Sequence, residues 1–266
     1  MSEPTLQLIE AAKAYEALFV PALFSQWAPI VADGAQIKPG QRVLDVACGT
    51  GVLAREVEQR VGSTGHVVGI DAGPGMVAVA RQRAAAVEYR EGVAEALPFP
   101  DASFDAVVSQ FGLMFFADRH QAIREMWRVL VPGGRLALAV WDSIDNIPAY
   151  AAVVVLLERT AGHPAAEALR APFVLGDQND LAALFSEAGV NAAEITTHQG
   201  TAEFPSIRTM VEADLRGWLP LVGIVLTEDR IHRILEEAEE VLAPYATANG
   251  RAVLQVSAHL LTAKKP

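Results

Sequence analysis

The stretch Val43-Leu44-Asp45-Val46-Ala47-Cys48-Gly49-Thr50-Gly51 decides the fold. It is an apolar run that carries one acid and then breaks into a tight glycine turn. A strand that ends in Gly-x-Gly and feeds a helix brings backbone N–H groups close to a ligand, because no Cβ stands in the way. Further along, Val67-Val68-Gly69-Ile70-Asp71 reads as a second strand ending in an acid, where ribose hydroxyls can be gripped. Two acids at neighbouring strand ends suit one nucleoside.

Working outward, strand and helix alternate from residue 42. Strands are expected at 43–47, 66–70, 87–91, 104–110 and 134–141, with helices at 51–61, 74–86 and 120–130. This rhythm predicts an α/β fold, a Rossmann-like, doubly wound and mostly parallel sheet with ligand loops at its carboxyl edge. Helical patterns over Thr5 to Leu23, stopping near Pro21, and over Phe24 to Ala35 precede it. Residues 145–190 read as mostly helical, 191–204 as a strand, 206–243 as two helical stretches, and Ala252 to Ala263 as a late last strand. With no repeat or Gly/Ser linker, residues 1–266 are taken as one domain. Its core is about 36–142 and 190–204 plus 251–264, with an N-terminal helical lid at 1–35 and a helical insertion at 205–250.

A formal net charge of −11 argues against a partner held by phosphate contacts, so a small-molecule substrate and no nucleic acid are expected. The 52% hydrophobic content is enough for a large core. Glu3, Glu10 and Lys13 interrupt the first residues, unlike a signal peptide, and the apolar run Leu219 to Leu226 is too short for a membrane span. The single cysteine, Cys48, excludes an intrachain disulfide and a multi-thiolate zinc site, so no metal is expected and a cytoplasmic setting is. A homodimer remains open.

Val43 to Gly51, Gly69-Ile70-Asp71, Glu95-Ala96-Leu97-Pro98-Phe99, Ser103-Phe104-Asp105-Ala106-Val107 and Leu130-Val131-Pro132-Gly133-Gly134-Arg135 together resemble the class I S-adenosylmethionine-dependent methyltransferases. The likeness is to the branch with the Leu-Pro-Phe segment, which includes ubiquinone and menaquinone biosynthesis C-methyltransferases. It covers residues 40–142 and implies a seven-stranded sheet whose last strand runs antiparallel. It also implies S-adenosyl-L-methionine as cofactor and methyl transfer to a small apolar or aromatic metabolite.

By that resemblance Asp45, Ala47, Gly49, Thr50 and Gly51 hold the amino-acid end of the cofactor, with capping of the next helix as the alternative for Asp45 and simple turn formation for Thr50. Asp71 takes the ribose hydroxyls, and Ala72 and Met76 pack on the adenine edge, although Met76 also suits ordinary core. Gly92-Val93-Ala94 departs from the Gly-Asp-Ala of relatives. Val93 cannot accept the adenine amino group, which leaves Glu95, a backbone carbonyl or water to read it, or a weakened contact. Ser109 and Gln110 touch the methionyl part, and Tyr15 reaches over the cofactor or packs in the core. In the loop Phe111 to Phe116, Met114, Phe115 and Phe116 read first as helix-packing core, with at most one of them meeting substrate. The chamber is assigned to Tyr15–Trp27, Phe111–Phe116, Trp141–Ala151 and Ser206–Leu226, with Trp141 as its first residue to mutate.

No catalytic residue is assigned. His120, His163 and Tyr15 are conceivable bases, whereas His66, His198 and His232 read as peripheral. The alternatives are an NAD(P)-dependent oxidoreductase, since Gly49-Thr50-Gly51-Val52-Leu53-Ala54 also fits Gly-x-Gly-x-x-Ala, and a non-catalytic S-adenosylmethionine-binding sensor or partner protein.

Overall fold

The computed structural model describes residues 4–266; Glu3 and the first three positions of the expected lid lie outside the described residues. Along the chain run α1 (Leu6–Phe19), α2 (Trp27–Gly34), β1 (Arg42–Val46), α3 (Val52–Val61), β2 (His66–Asp71), α4 (Pro74–Arg83), β3 (Glu88–Glu91), β4 (Phe104–Gln110), α5 (Arg119–Val129) and β5 (Leu130–Trp141). They are followed by α6 (Pro148–Thr160), α7 (His163–Arg170), α8 (Gln178–Glu187), β6 (Glu194–Phe204), α9 (Ile207–Ala213), α10 (Glu228–Val241) and β7 (Ala252–Lys264).

The strands form one seven-stranded sheet in the order β3-β2-β1-β4-β5-β7-β6. β1 pairs in parallel with β2 and β4, and β5 with β4, whereas β7 runs antiparallel to both β5 and β6. The last strand is therefore antiparallel, as the resemblance implied. Val43, Leu44 and Val46 on β1 and Ala106, Val107 and Val108 on β4 are all fully buried. That is the mark of central parallel strands covered by helices on both faces. The chain switches direction between β1 and β4, so their carboxyl ends open a crevice there.

Several boundaries differ from expectation for local reasons. α1 stops at Phe19, and Val20–Phe24 forms a wide π-turn around Pro21 rather than continuing the helix. α4 ends at Arg83 because Ala84 is extended. β5 starts at Leu130, and the Pro132-Gly133-Gly134 turn is absorbed into the strand as an irregularity opposite Phe104 and Ala106. α1 is capped by the Thr5 hydroxyl, which accepts from the Leu8 amide, and it lies so close on α4 that a Cβ at Gly75 would collide with the Leu8 carbonyl. Between α9 and α10 the insertion contains a π-turn, Asp214–Trp218, and a short 3₁₀ turn, Leu219–Val222.

Candidate functional site: a cavity with a polar and an aromatic end

The carboxyl ends of β1, β2, β4 and β5 open into one cavity of about 1150 Å³. This exceeds the ~300–1,000 Å³ of a pocket for one small ligand. α1 and the insertion form its other walls.

At the polar end the glycine turn behaves as its residue types require. Gly49 and Gly51 have φ of +54° and +88°, values that a residue with a Cβ adopts only under strain. Space is open around Gly49, whereas a Cβ at Gly51 would strike the Tyr89 hydroxyl. Two non-glycine residues also take the left-handed conformation here, Ala47 after β1 (φ +58°) and Phe111 after β4 (φ +56°). Both line the cavity, and such strain concentrates where backbone is held for a ligand.

Asp71 lines the cavity. Its Oδ2 accepts from the Gly49 amide at 2.8 Å and its Oδ1 from Gly73 at 2.7 Å, which ties the first glycine turn to the second strand end. Each oxygen keeps a further lone pair for a ligand hydroxyl. Burial pushes its pKa up, against the pull of those two amides. Asp45 lies one layer deeper: it is 1% exposed, does not line the cavity, and neither carboxyl oxygen has a hydrogen-bond partner. Burial first, and the Asp71 charge second, hold its pKa well above the ordinary range, while the Ala54 amide in the first turn of α3 partly offsets them.

Ala72, Met76, Val93 and Ala94 form the next part of the wall. Val93 is 47% exposed and offers no acceptor there. Glu95 also lines the cavity, but its Oε1 accepts from the amides of Ala117 and Asp118, so this carboxylate braces the loop before α5. Gln110 lines the cavity and donates to the Phe24 carbonyl, while its Oε1 is buried without a partner.

Three expected contacts are displaced. The Thr50 hydroxyl points away from the cavity and donates to Glu16 Oε2 at 2.5 Å, because the turn carries its side chain back towards α1. Gly51 spends its amide on the Cys48 carbonyl within the turn and is not at the wall. Ser109 is 1% exposed, with an unpartnered Oγ packed beneath Gly112.

Glu16 was not singled out from the sequence. It is 8% exposed, accepts from Thr50 and Arg55, and lies 3.5 Å from Arg83, clasping α1 to the glycine turn and α4. Its neighbour Tyr15 faces the cavity, where burial and then the charges of Asp71 and Glu16 raise its pKa.

The other end is aromatic. Phe24, Phe111, Trp141 and Phe173 surround it, with Trp141 stacked on Phe111 at 3.9 Å between centroids and 9° between planes. Trp141 therefore sits in the chamber, as expected. Both Phe115 and Phe116 line it, Phe115 against Trp218 of the insertion, while Met114 is buried away from it. The insertion adds Asp214, Gly217 and Trp218, and α6 adds Tyr150. His120 and His163 lie outside, paired with Glu187 and Glu158 on the surface. The buried His259, which the sequence reading passed over, bonds Thr197 and the Gly176 carbonyl beside Asp142 and serves packing between β7 and its neighbours.

This donor set fits S-adenosylmethionine. Asp71 at the wall, with no cation among the groups that set its pKa, favours a ligand that brings hydroxyls and its own positive charge. The open space at Gly49 receives its polar groups. Residues 44–138 match a family model described as a methyltransferase domain. This segment is similar to methyltransferase domains.

Relatives of the methyltransferase domain carry consistent names. A demethylmenaquinone methyltransferase of Deinococcus radiodurans is 48% identical over 116 residues, 42% of this chain and 48% of that protein. A 2-phytyl-1,4-naphtoquinone methyltransferase of Thermosynechococcus vestitus is 41% identical over 115 residues, 42% of this chain and 51% of its own length. The chain thus spans about half the length of the curated relatives it matches. Among solved structures, a Haemonchus contortus phosphoethanolamine N-methyltransferase 2 with bound S-adenosyl-L-methionine aligns with a TM-score of 0.60 at 18% identity, over 97% of this chain and 57% of that one. The [4+2]-cyclase SpnF aligns at 0.53 and 23% identity, over 91% and 81%. These two share the fold, and their different chemistries show that the fold alone does not set the reaction.

Among the described residues, no helix is long and apolar enough to cross a membrane.

Proposed function

We propose that the whole protein is an S-adenosylmethionine-dependent methyltransferase acting on a small, apolar, ring-bearing metabolite. The observation that carries this reading is the continuity of the carboxylate-and-glycine end with the aromatic end in a single cavity large enough for two ligands. The quinone names of the relatives support an aromatic acceptor of that general size. The single buried thiol of Cys48 suits a cytoplasmic setting.

When bound, the cofactor supplies a methyl carbon already activated by its sulfonium. The protein has to position, enclose and dry the reacting pair. In this reading Asp71 holds the ribose hydroxyls, and Ala72, Met76, Val93, Ala94 and Glu95 enclose the adenine. Ala47, Gly49 and Gln110 receive the methionyl end, with Asp45, Thr50, Gly51 and Ser109 shaping the turn from behind. Tyr15 closes over the top, and Trp141 with Phe111 forms a flat apolar wall that orients the acceptor ring.

Thermal shift with S-adenosylmethionine, S-adenosylhomocysteine, NAD and NADP tests the first part, since a ligand bound only by the folded state raises the melting temperature. A rise with the sulfonium pair is expected. A rise with NAD alone would turn the reading to an oxidoreductase. Turnover on a panel of phenols, quinols and amines tests the second part, and binding with no turnover on any of them would favour the sensor alternative.

A further inference from the structure

The insertion brings one acid to the cavity that belongs to neither the glycine turn nor the matched domain. Asp214 opens the π-turn between α9 and the 3₁₀ turn, lines the aromatic end, is 4% exposed, and leaves Oδ2 without a hydrogen-bond partner. A buried carboxyl in that state costs folding free energy unless something completes it. Its place is fixed by neighbours that serve packing: Gly217 lies against Phe19 of α1, and the Trp218 indole donates to the Ala168 carbonyl at 2.8 Å. Tyr150, on α6, lines the same chamber close enough for the Asp214 charge to raise its pKa, behind burial as the first cause.

We propose that Asp214 is the acceptor-side base of this chamber, a carboxyl that accepts the hydroxyl proton of a phenol- or quinol-type acceptor bound against Trp141 and Phe111. This rests on the methyltransferase reading above and names the chemical class of its acceptor. An acceptor with a hydroxyl on an otherwise apolar ring satisfies Asp214 and the aromatic wall together, whereas an unsubstituted ring leaves the acid orphaned.

The step balances. The acceptor O–H bond breaks, its proton goes to the Asp214 carboxylate, and the freed pair drives bond formation to the methyl carbon as the carbon–sulfur bond breaks with its electrons on sulfur. Where the new bond forms at a ring carbon, the ring C–H proton passes to solvent water, its electron pair restores the aromatic ring, and the proton on Asp214 returns to oxygen.

Burial alone pushes the Asp214 pKa up to about 8, near the range in which a base works at neutral pH. The group facing it is Tyr150. Charges on the surrounding elements are engaged elsewhere: Arg216 with Glu212 and Glu228, Arg159 of α6 with Glu237, and Glu16 of α1 with Thr50 and Arg55.

The test is calorimetric and needs no turnover. Binding of 2-naphthol and of the size-matched 2-methylnaphthalene is measured with and without S-adenosylhomocysteine, at pH 6.5 and 8.5, for the wild type, Asp214→Ala and Asp214→Asn. The wild type should prefer the naphthol by about tenfold at pH 8.5, the worth of one hydrogen bond to a charged group, and by less at pH 6.5. Asp214→Ala should erase the preference at both pH values, and Asp214→Asn should keep a preference that no longer changes with pH. An unchanged preference in Asp214→Ala, or the same pH response in Asp214→Asn, would overturn the assignment. Absence of any S-adenosylhomocysteine binding would instead refute the cofactor reading, and the naphthol ratio measured without it still judges Asp214.

Discussion

The two ends of the cavity are built on different terms. The polar end is local: Ala47, Gly49, Asp71 and Ala72 lie on the turns that directly follow β1 and β2, and backbone amides hold its acid. The aromatic end is assembled from afar, with Phe111 after β4 joined by Phe24, Trp141, Tyr150, Phe173 and Asp214 from segments outside residues 44–138. One end is specified by short-range geometry and the other by the meeting of distant helices. A ligand common to many enzymes suits the first, and a ligand particular to one suits the second.

Substitutions can separate the two. The largest effect is expected at Asp71→Asn, which keeps one acceptor for the turn but loses the charge. Affinity for S-adenosylhomocysteine should fall ~100-fold or more by calorimetry, the loss of ~3 kcal/mol of charged hydrogen bonding, while 2-naphthol binding stays within ~2-fold. Loss of both would break the comparison.

Trp141→Ala should do the reverse. Removing the indole from its stack on Phe111 should cost ~3 kcal/mol of stability by denaturant titration and most of the turnover, while cofactor affinity stays within ~3-fold. A matching loss of cofactor binding would refute the division.

Asp214→Asn should stabilise the fold, and the sign follows from its titration. The folded-state pKa of about 8 lies above the ordinary 3.8, so the unfolded chain gives up its proton first, and stability drains away as pH rises between those values. The variant should gain ~2 kcal/mol at pH 8, a discounted share of ~1.4 kcal/mol per pKa unit, and nothing below pH 4. A gain that does not change with pH would mean that Asp214 does not titrate in this way.

The smallest effect is expected at Glu16→Gln, which retains an acceptor for Thr50 but loses charge towards Arg55 and Arg83. A loss of ~1 kcal/mol is expected, with faster hydrogen exchange confined to α1 and the glycine turn.

The same contrast governs what could be read from the chain alone. Val43 to Gly51 and Gly69 to Asp71 were legible because their apolar run, acid and glycines determine backbone shape within a few residues, and the mostly parallel sheet followed from the alternation of strand and helix. Trp141 was legible because it ends a strand on the ligand edge. Thr50 was misplaced, and Glu16 missed, since the partner of each lies 34 residues away and nothing within either segment announces the other. Asp214 was hidden for a similar reason: in an apolar helical stretch one acid reads as solvated until the fold buries it at the cavity. Glu95, free by its position, turned out to be occupied by the amides of Ala117 and Asp118.

The clasp between Glu16 and Thr50 couples entry to assembly. Tyr15 and Glu16 are consecutive on one helix, the first lining the cavity and the second gripping the glycine turn. In the proposed reading, unfastening that grip and lifting Tyr15 are one movement of α1, so cofactor release is expected to keep the pace of a hinge rather than of diffusion through an open door.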